Sequence, residues 1–265
     1  MKLVGLSHPV VKALLSSQYA NMLEYRAEIA LWSLSGLLPF IMYALWSNNE
    51  VGVTFGFASL DLSRYFLSAF FVRQFSVVWV VFAFEEDALL GRLSPYLLQP
   101  LHPLWRYVAA HLAEQATRLP FALAISAVFF LLNKNSFWLP SFEHFVLAWL
   151  ATIFSFTISF LLQSFIASLC FWSERASALE RLLFVPYLFL SGLLAPIASF
   201  PKSVSNIAVW TPFPYLIDFP ARTLSGLEVN YIHGFLAQIS WIILLLPIVL
   251  LTWRSGVRRY TAMGA

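Results

Sequence analysis

Six long runs of this chain contain almost no charge. They are Ile29–Asn49, Tyr65–Phe84 (broken once, by Arg73), Leu119–Asn133, His144–Ser173, Leu182–Pro201 and Val229–Trp253. A bilayer's hydrocarbon core is about 30 Å thick, and a helix crosses it with roughly 20 residues at 1.5 Å each. The runs therefore predict an all-α membrane protein with six transmembrane helices. The third run is short, and Gln115–Thr117 extends it inward. The fourth would be about 45 Å long as a helix, so it must tilt or protrude.

The composition agrees. The chain is 60% hydrophobic and 11% charged, with 26 Phe among 265 residues, against about 25% charged in soluble domains. No soluble domain stands out, so residues 1–265 read as a single transmembrane domain. The first apolar run is too long for a signal-peptide h-region of about 7–15 residues. The lone cysteine, Cys170, excludes an internal disulfide framework and a cysteine metal site. There is no G-x-x-x-x-G-K-[ST] loop, no H-E-x-x-H and no G-x-S-x-G. The five histidines show no ligand spacing, and the His111–Glu114 pair reads as a solvated or interfacial feature. A net charge of +3 is dispersed between greasy runs, which argues against nucleic acid.

Basic residues set the orientation. With the N-terminus cytoplasmic, eleven fall inside: Lys2, Lys12, Arg26, Arg92, Arg106, Arg118, Arg175, Arg181, Arg254, Arg258 and Arg259. Three fall in outer loops: Lys134, Lys202 and Arg222. This positive-inside bias predicts cytoplasmic termini and a cytoplasmic 85–118 segment. Before the first run, Val11, Leu14, Leu15, Tyr19 and Met22 share one helical face. That pattern fits a helix lying in the inner interface, or a partly ordered tail. After the fifth run, Pro196, Pro201, Pro212, Pro214 and Pro220 crowd into residues 191–226. Irregular backbone is not tolerated bare in lipid, so this stretch is expected to be a broken hairpin of short helices at the outer side.

Two features carry candidate function. Arg73 lies inside the second run, where a charge costs at least about 2.5–3.5 kcal/mol. It fits either a contact to an anionic substrate or an interhelical bond, with Gln74 and Gln163 as polar partners. The neutral runs offer no relay of buried acids, which disfavours a proton-coupled pump. Residues 85–100 read EEDALLGRLSPYLLQP. Glu85, Glu86 and Asp87 would favour the start of a helix. Leu89, Leu90, Leu93, Leu97 and Leu98 offer apolar knobs, and Pro95 and Pro100 limit the element. It fits a stiff projection docking into a groove on another protein, or a helix lying on the inner leaflet.

Four stretches in this order resemble the type-2 ABC exporter permeases. They are EYRAEIALWSLSGLL (24–38), GRLSPYLLQPLHPL (91–104), the proline-rich SGLLAP to TPFPYLIDFP segment (191–220) and GVRRYTAMGA (256–265). The resemblance implies a multi-pass subunit of the cell (inner) membrane that exports an amphipathic or hydrophobic substrate. It implies two copies of a separate ABC ATPase, which would hold ATP and Mg, so no cofactor or catalytic residue is expected on this chain. It also implies a second permease half, identical or homologous, and a coupling helix from Glu85 to about Pro103. A membrane scaffold without transport, or an intramembrane enzyme, are the rival readings. The second would need a buried nucleophile–base pair or a metal pair, and the runs show neither.

Overall fold

The structure is a computed structural model and describes residues 7–47, 58–173 and 175–260. Lys2, the end of the first run at Asn49, and residues 261–265 of the C-terminal motif lie outside the described residues. All regular structure among those residues is helical.

Five helical segments are long and apolar enough to cross a membrane: 27–47, 59–89, 104–132, 142–171 and 231–257. The first comprises α2 (Arg26–Ser35) and α3 (Leu38–Ser47), joined at Gly36–Leu37. The second comprises α4 (Ser59–Ser76) and α5 (Val80–Leu89), separated by extended backbone at Val77. α7 (Leu104–Leu132), α8 (Phe142–Ser168) and α12 (Tyr231–Val257) are continuous. Ser141 and Asn230 cap α8 and α12 by accepting from the backbone N–H of His144 and His233, which satisfies otherwise orphaned donors.

α7 changes one expectation. It begins fifteen residues before the third neutral run and carries His111, Glu114 and Arg118 inside a single helix. Arg118, counted above among the inner basic residues, is buried at 4% exposure, 3.5 Å from Glu114 one turn earlier.

The fifth run does not form one long helix. α9 (Ser177–Leu190) has 14 residues, about 21 Å. It gives way to bends, then α10 (Lys202–Ala208) and α11 (Asp218–Ser225). The prolines thus divide the 191–226 stretch into short helices, as the sequence suggests, and α11 packs against α4 and α8. Arg222, expected in a loop, lies on α11.

α4, α8, α11 and α12 share one core around Tyr65, Phe66, Ile158, Ile217 and Val249. A second core, near the other end, joins Val81, Phe84, Leu93, Tyr107, Ala167 and Trp253. α1 (His8–Glu24) packs along α7. Val11, Leu14, Leu15 and Met22 are its half-covered face, whereas Tyr19 is exposed.

Candidate functional site

The interruption between α4 and α5 leaves backbone groups without helical partners, and side chains from other helices supply them. Trp79 N–H donates to His111 Nε2 at 2.8 Å, and His111 Nδ1 lies 2.7 Å from the Tyr107 carbonyl. Both contacts together fix a neutral ring with its proton on Nδ1. Gln115 Nε2 donates to Phe75 O at 2.7 Å. Gln163 Oε1 accepts from Val81 N–H at 3.3 Å, while Gln163 Nε2 donates to Glu180 Oε1 at 3.3 Å. His111 is thus buried and structural, where the sequence reads it as a solvated or interfacial feature. The only sequence sign was the placing of polar Gln115 and Gln163 beside or within apolar runs.

A cavity of about 80 Å³ adjoins this interruption, lined in part by Arg73, Trp79, Ser159, Gln163, Glu180 and Tyr187. Its remaining walls are mostly apolar, from Val78, Leu183, Phe184 and Phe213. Irregular backbone inside a membrane protein is sustained where it lines such a space or is covered by protein. Arg73 sits midway along the 59–89 segment and faces the Tyr187 hydroxyl without a hydrogen bond of ordinary geometry. Of its two expected partners, Gln163 is committed to Val81 and Glu180, and neither amide atom of buried Gln74 has a partner.

The 85–98 element is more firmly attached than its sequence suggests. Glu85, Glu86 and Asp87 fall in the last turns of α5, not at the start of a helix. Glu85 instead caps a different helix. It accepts from the backbone N–H and the hydroxyl of Ser177, at 2.7 and 3.0 Å, at the first turn of α9. Asp87 accepts from the Tyr107 hydroxyl and from Arg92 Nε, both at 2.8 Å. Exposed Glu86 accepts from Arg92 Nη2 at 2.7 Å, and these two contacts raise the Arg92 pKa. Gly91, at φ +72°, makes the tight turn into α6 (Leu93–Leu97), a conformation that favours glycine.

The five leucines divide. Leu93 is 0% exposed and belongs to the second core, and Leu97 is half-buried against it. Leu93 is therefore an inward anchor, correcting the expectation that it projects outward. Leu89, Leu90 and Leu98 are exposed, at 43%, 61% and 88%. The Arg106 guanidinium lies 3.9 Å over the Tyr96 ring. His102 stacks at 4.7 Å from Trp253, and burial lowers its pKa. These aromatic attachments had no distinct sequence signal, since their partners lie in other segments.

Among the described residues, no group of three or more metal-ligating side chains could hold an ion. A family model described as "ABC-2 family transporter protein" matches residues 37–264. A search of curated proteins found no match.

Proposed function

Since the chain belongs to the ABC-2 family of transporter proteins, we propose that it is the permease subunit of an ATP-driven exporter whose ATPase is a separate chain. The chain is a multi-pass membrane protein of that family. The finer reading has five long segments plus a sixth passage, made by α9 and closed at its outer end by the 191–226 hairpin. Both termini are cytoplasmic in this reading, in the cell (inner) membrane. With buried Arg118 left out, ten basic residues remain on that side against three outside. α1 lies at the inner interface. ATP and Mg belong to two ATPase copies, catalysis of hydrolysis lies outside this chain, and a second half, identical or homologous, completes the pathway for an amphipathic or hydrophobic substrate.

One observation carries the docking assignment. The 85–98 element has a fixed base, through Leu93, Asp87–Tyr107 and Arg106–Tyr96, and an apolar tip of Leu89, Leu90 and Leu98. A stiff base transmits a push, and an exposed apolar tip is what a groove would cover.

The test is co-purification of the ATPase with a Leu89→Ala, Leu90→Ala, Leu98→Ala triple variant. Interface anchors are worth about 2 kcal/mol or more each, so docking should weaken at least about tenfold. The membrane domain should stay folded, because those side chains are already exposed. Leu93→Ala should behave differently, costing about 2–5 kcal/mol of fold stability. If the triple variant retains both ATPase binding and transport, the tip lies against the membrane surface instead.

A further inference from the structure

Arg73 is a half-buried cation without a carboxylate. Among the described residues, no Asp or Glu oxygen lies within 4.0 Å of it. Its Nε is shielded from solvent and makes no hydrogen bond. The same is true of Arg118 Nε and of both Gln74 amide atoms, while Arg118 Nη2 meets Glu114 Oε1 at 3.5 Å and the Tyr187 hydroxyl faces Arg73.

These groups belong together. Arg118 feels the charge of Arg73, and its own carboxylate partner is Glu114 at 3.5 Å. On the other side, a Cβ at Gly36 would stand 2.5 Å from Gln74 Nε2 and 3.2 Å from Arg73 Nη1. The cluster thus runs from the α2–α3 joint across α4 to the cavity. Apart from the Gln74 carbonyl and the Tyr187 oxygen, its unpartnered atoms are all donors. A cation without a carboxylate, beside a cavity and among an excess of buried donors, matches an acceptor supplied from outside. Glu180 does not supply it. It is held by Gln163 and lies seven residues before Tyr187 on α9, about 10 Å along the helix.

We infer that Arg73 and Tyr187, backed by Arg118 and Gln74, bind the anionic head of an amphiphile: a phosphate or carboxylate carried on an alkyl chain. The chain lies against the apolar walls given by Val78, Leu183, Phe184 and Phe213. Leu183 and Phe184 of α9 line the cavity and are themselves exposed. Leu182, Val185 and Phe189 are exposed on α9, so the cavity borders an apolar exterior. This inference deepens the exporter reading by naming a substrate class and rests on it for transport. Binding itself needs no ATPase.

The experiment uses the purified chain in phosphatidylcholine vesicles with spin-labelled phosphatidic acid, spin-labelled stearate and spin-labelled phosphatidylcholine. The protein-bound fraction of each label is read by electron spin resonance. The wild type should retain at least one acidic label over phosphatidylcholine by at least about fivefold. That preference should persist at about 0.5 M salt, where surface attraction is screened. Arg73→Gln should bring the preference close to one, Arg73→Lys should keep part of it, and Tyr187→Phe should lose about twofold. Stearate against phosphatidic acid tells carboxylate from phosphate. Displacement of the label by about 50 mM inorganic phosphate would overturn the amphiphile in favour of a free anion. Equal preference in wild type and Arg73→Gln, or none in wild type, would overturn the site. Because no ATPase is present, either failure leaves the exporter reading to its own test.

Discussion

Two charged groups packed on α4, Asp218 and Arg73, differ in the partners they have. Near one end, Asp218 Oδ1 lies 2.8 Å from the Tyr65 hydroxyl and 3.1 Å from the Ile197 N–H, while Tyr65 is also 2.7 Å from the Gly192 carbonyl. The backbone N–H of Asp218 donates to Ser191 O at 2.8 Å, and Arg222 Nη1 stands 3.9 Å from Oδ2. The carboxylate Oδ1 is held by the Ile197 N–H and by the Tyr65 hydroxyl, whose one proton it shares with the Gly192 carbonyl, and the 191–226 hairpin is fastened to α4 through it. Two turns along, Arg73 and Gln74 have buried atoms with no partners beside a cavity. The comparison separates fastening from function. A buried charge with its donors in place stabilises one arrangement, whereas a buried charge without them is a cost that a ligand can offset.

Substitutions at the two places should differ sharply. The largest effect is expected at Gly192→Ala. Gly192 sits at φ +91°, and a Cβ there would meet Tyr65 Oη at 2.5 Å and Asp218 Cα at 3.0 Å. Backbone strain and overlap together should cost about 2–6 kcal/mol, read as loss of monodisperse protein or a large fall in melting temperature. A Gly192→Ala protein as stable as wild type would mean that the hairpin is not fastened through Asp218.

His111→Phe should lie between the extremes. It strands the Trp79 N–H and removes the donor that the Tyr107 carbonyl accepts from, at about 1–3 kcal/mol. Amide exchange should accelerate around residues 77–81, and not at the Asp218 end, if the interruption is a separate weak point.

The smallest effect is expected at Arg73→Gln. With no ion pair to lose and the side chain only half-buried, its melting temperature should stay near wild type. A fall as large as that of Gly192→Ala would show that Arg73 is part of the fastening after all.

Much of the architecture is legible in the chain itself. Hydropathy is a local sum, so the positions of the apolar runs, the all-helical class and the membrane environment follow from neighbouring residues. The prolines between 191 and 226 forbid a long helix wherever that stretch lies. Arg73 stands out because it is the one charge within an otherwise neutral run. Resemblance, rather than periodicity, pointed to the family. Other features depend on residues far apart in the sequence. The contact that accepts the Trp79 N–H comes from 32 residues away, and the one that joins Tyr65 to Asp218 spans 153. Leu93 and Leu98 are the same residue type five positions apart, yet one is 0% and the other 88% exposed. Arg118 looked like a boundary charge because the neutral run begins after it, but α7 carries it into the interior. The sequence alone decided which segments avoid water. Only the tertiary structure decided which side chains within and between them are covered, since burial is a property of the neighbours that packing brings.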